Sequence, residues 1–302
     1  MSPRARFGRY GQEFCHEERF EVLEDLVGAI RNRQAILFAG AGVSMTVGLP
    51  SWNTLIEHVS KELDLDMSGF REGDLNYLTL AEYYRIKQGS IGPLRSWMDR
   101  NWTIPEDKLK GSKVHELICQ LDFPIIYTTN FDRNLETAFD LQGKEYVKIV
   151  NAKDIARIRE GVPQIVKYHG DFDDDDSIVI AETDYLDRLS FESPLDIKFR
   201  SDSLGKTILF IGYSMTDLNI RFLMHRLWKT WNGSGYERDR PQSYVFMLRS
   251  NPVEQAVLEQ WGLRVLTEKD CPPGKALEVF LTKLCTSVEK TDDTGHLELS
   301  RT

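Results

Sequence analysis

Residues 36–52, ILFAGAGVSMTVGLPSW, join a short apolar run to a glycine-rich turn. The run is typical of a buried β-strand because it is continuous and bounded by glycine. Gly40 and Gly42 would let backbone N–H groups approach a phosphate, and a helix beginning behind the turn would favour negative charge there. Three interpretations are open: a cofactor held for hydride transfer, a cofactor held for cleavage, or a tight turn without a ligand.

The hydride-transfer interpretation fits the turn poorly. The dinucleotide fingerprint G-x-G-x-x-G requires a third glycine at position 45, where this chain has Met45. That fingerprint also needs a second strand that ends in an acid about 20 residues further on. Residues 53–63 are predicted to be helical instead, so the dehydrogenase pattern is not met.

Further short runs rich in β-branched and aromatic residues are predicted as buried strands. They are 124–130, 164–170, 177–182, 207–214 and 243–248, in addition to 35–39. Helices are predicted at 17–32, 53–63, 75–87, 131–140, 216–230 and 253–260. Continuous apolar strands that alternate with helices predict an α/β fold, a Rossmann-like parallel sheet with helices on both faces.

The domain organisation follows from this alternation. Residues 1–34 are predicted to be an N-terminal helical segment, and residues 35–287 to form the domain that carries the site. A mostly helical stretch at about 52–120 interrupts the alternation and is interpreted as an inserted helical lobe. The polar segment 288–302 is predicted to be a disordered tail.

Composition excludes several classes of protein. The chain has 302 residues, 41% of them hydrophobic, which suffices for a large core. Its net charge of −9 disfavours non-specific binding to nucleic acid. No apolar run is long enough to span a membrane and no secretory signal is evident, so a cytoplasmic location is expected. The run of aspartates at 173–176 is interpreted as a solvated turn rather than a metal site.

Cysteine spacing argues against a structural zinc site. The four cysteines are scattered and never form a C-x-x-C pair. They are Cys15, Cys119, Cys271 and Cys285.

Four predicted strands end in small or polar residues. Ligands of open parallel sheets bind beyond the carboxyl ends of the strands, so these ends are expected to converge on one site. The ends contribute Gly40, Ala41, Gly42 and Ser44; Asn130 and Asp132; His169; and Gly212 and Ser214.

Each polar residue also has a purely structural interpretation. Asn130 or Asp132 could cap the helix that follows. His169 is the one histidine at a strand end beside glycine, where it could be a general base or a buried structural side chain. Ser214 and Asp217 have the spacing of a capping box, which is compatible with binding a phosphate or ribose.

Taken in order, the motifs GAGVS…GLPSW, TTNFD, KYHGDF and FIGYSMTD resemble the SIR2-like (sirtuin-related) domain. They run from about residue 36 to 220 and are most similar to the branch found in prokaryotic anti-phage defence proteins, in particular the standalone SIR2 subunit of SIR2–HerA systems. The resemblance implies that Asn130 and His169 are catalytic and that Asp132 lies near the nicotinamide. It further implies cofactor contacts from Gly40, Ala41, Gly42, Ser44, Gly212 and Ser214.

Two departures from the deacylating sirtuins shape the functional hypothesis. Those enzymes carry a zinc lobe with two C-x-x-C pairs, and they usually read G-I-P-D-F-R where this chain has Gly48-Leu49-Pro50-Ser51-Trp52. The resemblance therefore implies an NAD+ hydrolase without structural zinc, which cleaves NAD+ to nicotinamide and ADP-ribose as the effector of an abortive-infection system. The alternatives are NAD-dependent protein deacylation or ADP-ribosyl transfer, and a regulatory subunit that binds NAD or ADP-ribose and controls a partner ATPase or nuclease.

Partners are expected from the same resemblance. The chain ends soon after the matching motifs, which implies a separate partner or self-assembly. A HerA-type ATPase/helicase is the preferred partner and a short Argonaute protein the alternative, together with a homo-oligomer.

Overall fold

The computed structural model describes residues 16–50, 52–66, 76–213, 218–249, 251–268 and 271–290. Its described strands form one seven-stranded sheet in which all pairings are parallel. They are β1 (Ala35–Ala39), β2 (Ile125–Thr128), β3 (Val147–Ile149), β4 (Gln164–Lys167), β5 (Thr207–Ile211), β6 (Ser243–Phe246) and β7 (Leu263–Leu266). Their order across the sheet is β3-β4-β2-β1-β5-β6-β7, which confirms the predicted Rossmann-like α/β fold.

Helices connect and cover these strands. The first group is α1 (His16–Arg31), α2 (Ala41–Met45), α3 (Trp52–Glu62), α4 (Tyr77–Gln88), α5 (Gly92–Asn101), α6 (Glu106–Lys110) and α7 (Lys113–Gln120). The second is α8 (Asn134–Leu141), α9 (Ala152–Ile155), α10 (Glu182–Arg188), α11 (Pro194–Leu204), α12 (Leu218–Trp231), α13 (Pro252–Gln260) and α14 (Pro273–Glu289). All six predicted helices are present, with ends displaced by three residues or fewer.

Two apolar layers cover the sheet, one on each face. Along β1, Leu37 and Ala39 face a layer built by α1, α7, α8 and α14, while Ile36 and Phe38 face a layer built by α11, α12 and α13. Side chains of a strand alternate between faces, so a strand buried on both sides must be apolar throughout. This is why the strand sequences are continuous runs.

The register places four strand ends side by side. Ala39 pairs with Thr128 on one side and with Ile211 on the other, and Thr128 pairs with Lys167. The chain moves from β1 to β2 in one direction and later crosses to β5 on the opposite side of β1. The crevice between β1 and β5 is therefore the topological switch point, where open α/β sheets bind their ligands.

The helical lobe has its own core beside this edge. Apolar residues of α3, α4 and α5 pack together with Trp102 and with residues of the segment that follows β4. Helix α7, which also falls in the predicted insertion at about 52–120, packs against α8 and α14 and belongs to the layer on the sheet.

The predicted strand at 177–182 is wrong. A 3-10 turn ends at Ser177, and the next residues join none of the seven strands. Ile178, Ile180 and Ala181 are buried in the lobe core instead. A short apolar run indicates burial, but it does not say which core buries it.

The chain after the sheet was predicted less completely. Helix α14 extends to Glu289, two residues into the predicted tail, and residues 291–302 lie outside the described part of the chain. Among the described helices, none combines the length and apolar character needed to cross a membrane.

Candidate active site

Three glycines close the switch-point crevice. A Cβ added to Gly40 would lie 2.6 Å from the carbonyl oxygen of Gly212, and one added to Gly42 would lie 2.8 Å from the Gly212 Cα. The Gly42 N–H donates to the Gly212 carbonyl over 2.9 Å. The turn after β1 and the end of β5 can approach this closely only because neither bears a side chain. Ala41 and Gly42 remain partly exposed at the start of α2.

Asn130 links β2 to the glycine turn. Its Nδ2 donates to the Gly40 carbonyl and to the Ser44 hydroxyl, each over 3.1 Å. Its own N–H donates to the Thr128 hydroxyl over 3.0 Å. Asn130 therefore does not cap α8, and its amide is held at the glycine turn.

Asp132 lies one residue before Arg133, the N-cap residue of α8, and its carboxyl group bonds the start of the helix. Its Oδ1 accepts from the N–H of Asn134, the first residue of α8, over 3.0 Å. The carboxyl group is buried, and burial raises its pKa against the opposing effect of the Lys167 charge. Asp132 thus holds the start of α8 and places a buried carboxyl group close to Asn130.

His169 is buried two residues beyond β4. Its Nδ1 lies 3.3 Å from the Tyr185 hydroxyl, and its Nε2 has no hydrogen-bond partner among the described residues. Burial, reinforced by the nearby Arg188 charge, lowers the pKa of His169 to about 3. The ring is therefore neutral at pH 7, and an unpaired nitrogen remains to meet a ligand or water.

The buried, neutral His169 is expected to make the fold less stable in acid. The unfolded chain binds a proton below pH 6.5, whereas the folded chain binds it only near pH 3, so stability falls as the pH drops through this interval. The slope is at most about 1.4 kcal/mol per pH unit. Urea unfolding from pH 7.5 to 5 checks this, with a His169→Gln variant to cancel other groups. A stability difference between the two proteins that does not change with pH would contradict it.

Tyr213 spans the strand ends from β5 to β2. Its hydroxyl lies 2.6 Å from the Thr129 hydroxyl, and its ring is 2.7 Å from the place of a Gly40 Cβ. Gly212 adopts φ +69°, a conformation that glycine enters freely. Ser214 and Asp217, predicted as a cofactor contact and its capping partner, lie outside the described residues.

The site is closed in this structure. The exposed fractions are 2% for Ser44, 9% for Asn130, 5% for Asp132 and 2% for His169. Because these side chains are buried, a nucleotide that contacts all four has to displace other residues. Tyr213 lies across the strand ends and is one such residue. These four side chains, among the described residues, are thus buried.

The acidic run beyond His169 is more organised than a solvated turn. Asp173 pairs with Arg133 and with Lys148, and Asp175 pairs with Arg95 of the lobe over 2.8 Å. Several of these carboxylates remain exposed, as predicted. The ion pairs tie the loop that follows His169 to α5, β3 and the start of α8.

A cavity of about 720 Å³ lies elsewhere, beside the amino end of β3, where residues 143–148 line it together with Asp154, Arg157 and Arg159. It is wide open and touches no predicted site residue. Because ligands of parallel sheets bind at the carboxyl ends of the strands, we place the site at the glycine turn and not in this cavity.

Sequence reasoning missed Lys167, Tyr185 and Arg188. Lys167 is 0% exposed and ends β4. A charged residue in an otherwise apolar strand was a usable signal for it. Arg188 donates to the Tyr168 carbonyl over 2.8 Å and pairs with Asp196, contacts between distant segments that no local pattern reveals.

The protein thus has an α/β fold with a glycine-lined crevice at the switch point, and an amide, a carboxyl group and an imidazole follow the neighbouring strands β2 and β4. Residues 124–266 match the family model of the SIR2-like domain. That stretch includes the motifs TTNFD, KYHGDF and FIGYSMTD and confirms the predicted resemblance to the SIR2-like domain, while the first motif, GAGVS…GLPSW, lies before it.

Three relatives illustrate the similarity. The protein named NAD(+) hydrolase ThsA from Bacillus cereus (strain MSX-D12) is 31% identical over 228 residues, 74% of this chain and 45% of the relative. NAD(+) hydrolase ThsA from Enterococcus faecium is 34% identical over 200 residues, 65% of this chain and 40% of the relative. Defense-associated sirtuin 2 from Bacillus subtilis is 25% identical over 257 residues, 82% and 24% respectively. The chain spans about half or less of the length of these relatives.

Proposed function

We propose that this protein hydrolyses NAD+ to nicotinamide and ADP-ribose. The observation that carries the proposal is the bond from Asn130 to the glycine turn at the switch point, with Asp132 and His169 following neighbouring strands at the same edge of the sheet. Relatives at 31–34% identity that are named NAD(+) hydrolase support it.

The reaction needs few groups. The bond between the nicotinamide nitrogen and the ribose C1′ breaks, water adds to C1′, and one proton is released. His169 is neutral at pH 7 and accepts the proton of that water. Asn130 orients the ribose or the water, and the Asp132 carboxylate stabilises the positive charge that develops at the ribose.

Turnover requires the closed site to open. A histidine with a pKa of about 3 is a weak base, and a general base works best when its pKa is near the working pH. Entry of a polar substrate and water would reduce the desolvation of His169 and raise its pKa. We therefore expect the isolated chain to be slow and an activating event to accelerate it.

The proposal is tested by incubating the purified chain with NAD+ in ¹⁸O-labelled water. Release of nicotinamide, together with ADP-ribose that carries the label at C1′, is the expected result. An acylated peptide added in a second arm tests deacylation, because O-acyl-ADP-ribose would then appear. NAD+ that binds in calorimetry but persists under every condition, activating partner included, would replace the hydrolase with a regulatory binding module.

We further propose that the protein acts in the cytoplasm as an effector of anti-phage defence. Support comes from the name of one relative, Defense-associated sirtuin 2, and from the motif resemblance. Infected cells that express the chain should lose NAD+, and cells that express His169→Ala should not. Unchanged NAD+ during infection would contradict this role.

Assembly is proposed on the resemblance alone. We propose a homo-oligomer that works with a HerA-type ATPase/helicase, with a short Argonaute protein as the alternative partner. Mass photometry of the purified chain tests the first part. Co-purification with the product of the neighbouring gene tests the second, and a monomer that retains neither partner would refute both.

A further inference from the structure

Lys167 is a lysine without solvent contact at the carboxyl end of β4, the second strand from one edge of the sheet. It is the last residue of β4, its side chain is 0% exposed, and its neighbours on the strand are Ile165 and Val166. Burying an ammonium group is costly unless it is paired and hydrogen-bonded. A protein with well-packed apolar residues is often at least as stable as one with a buried ion pair in their place. Stability alone therefore does not explain why a lysine is buried here.

The ammonium group joins three segments around the site. Its Nζ donates to the backbone carbonyl of Asp132, in the turn that also carries Asn130. It lies 3.2 Å from Glu136 Oε1 in α8 and 3.6 Å from Asp171 Oδ2 in the loop beyond His169. One side chain thus connects the amide-bearing turn to the strand that delivers the imidazole.

More acidic than basic side chains lie around Lys167. Asp132, Glu136 and Asp171 are buried carboxyl groups, and Lys148 of β3 reaches Asp171 over 3.4 Å. Burial raises the pKa of Asp132 and of Glu136, and the Lys167 charge opposes both shifts. Lys167 is the cation nearest to these two acids.

We propose that Lys167 is a positioning residue, which holds the turn of Asn130 and Asp132 against the strand end of His169 and supplies the charge that balances Asp132. The proposal rests on the proposed NAD+ hydrolysis. It follows from geometry, because the contact with the Asp132 carbonyl lies two residues from Asn130 and Lys167 itself lies two residues from His169. A shift in that contact changes the distance between the two catalytic groups, and a displacement of 1 Å can cost about 100-fold in rate.

The test compares Lys167→Met, Glu136→Gln and the double variant with the unaltered protein. Lys167→Met is expected to lower kcat about 10- to 100-fold with little change in KM, and to move the acid limb of the kcat–pH profile to higher pH. Glu136→Gln removes a like charge near Asp132 and is expected to move that limb to lower pH. Opposite shifts from two residues of one cluster are not produced by a loss of folded protein.

The double variant distinguishes a loss of catalytic rate from a loss of folded protein. It removes one positive and one negative charge, so we expect Tm to recover towards the unaltered value while kcat remains low. Lys198→Met is the matched control, because Lys198 is a largely buried lysine paired with Asp202 over 2.8 Å in α11. It is expected to change Tm without moving the pH profile.

Three results would overturn the proposal: Lys167→Met with unchanged kcat and pH profile, a double variant with restored kcat, or Lys198→Met with the same kinetic defect. Carbon-13 NMR of the Asp132 carboxyl provides a readout without turnover. Its titration midpoint is expected to rise in Lys167→Met and fall in Glu136→Gln, and unchanged midpoints would refute the charge role. A chain that binds NAD+ but never cuts it rejects the hydrolase alone, and the NMR titration then decides the role of Lys167.

Discussion

The His169→Ala variant is expected to hydrolyse NAD+ about 10²- to 10⁴-fold more slowly than the unaltered protein, the usual contribution of a general base. The neutral ring has one nitrogen near the Tyr185 hydroxyl and a second without a partner among the described residues. Alanine removes the only group we assign to proton transfer while it leaves Asn130 and the glycine turn in place. The measurement is the initial rate of nicotinamide release at saturating NAD+, with NAD+ affinity followed by calorimetry.

His115→Ala is the matched control. His115 is 1% exposed, its Nδ1 lies 2.7 Å from the Ser112 hydroxyl, and burial lowers its pKa to about 4. It sits in α7, in the layer behind the sheet, and should therefore lose stability but keep its rate per folded molecule. A His169→Ala variant that retains full activity, or a His115→Ala variant that loses as much, would contradict the assignment.

Gly212→Ala is expected to destabilise the fold by about 2–4 kcal/mol and to abolish NAD+ hydrolysis. A Cβ at this position would lie 2.7 Å from the Val43 nitrogen and 2.9 Å from the Gly40 carbonyl oxygen. Both are backbone atoms that cannot rotate away, and φ is +69°, where alanine is strained. The strand ends must separate to admit the methyl group. Urea unfolding and the nicotinamide assay measure the two effects.

Substitutions at two other glycines separate the effect of backbone strain from the effect of close packing. Gly143 has φ +65° with nothing within 4 Å of its Cβ position, so Gly143→Ala isolates the backbone strain. Gly205 has φ −115° and equally open space, so Gly205→Ala is expected to be close to neutral. If Gly212→Ala is no less stable than Gly143→Ala, close packing of the strand ends is not what requires glycine there.

Asn130 and Asp132 show where sequence reasoning reached its limit. Both are good helix caps, and both follow a strand that ends at the site, so the local pattern allows either role for either residue. In the structure Asp132 accepts from the first N–H of α8, whereas Asn130 contacts the glycine turn. The choice depends on where Gly40 lies, 90 residues earlier in the chain.

Local sequence patterns also could not predict the edge strands or the long-range ion pairs. Strands β3 and β7 have only three and four residues, so periodicity carries little signal in them. The segment at 177–182 has the composition of a strand, but its side chains are buried by the lobe. Lys167 contacts Asp132 and Glu136 through the pairing of β4 with β2, which no local window contains, although its third partner, Asp171, is close in sequence.

By itself, the sequence determined that continuous apolar strands alternate with helices, and that Gly40, Asn130, His169 and Gly212 follow strands. These features depend on neighbours within a few residues, where burial, backbone freedom and hydrogen bonding leave a local pattern. Tertiary structure alone decided that the turn ILFAGAGVSMTVGLPSW meets Gly212, that Asn130 bonds across to it, and that His169 is buried with its charge suppressed. Those properties depend on which strands are neighbours and on how much solvent they exclude, and both are set only when the whole sheet assembles.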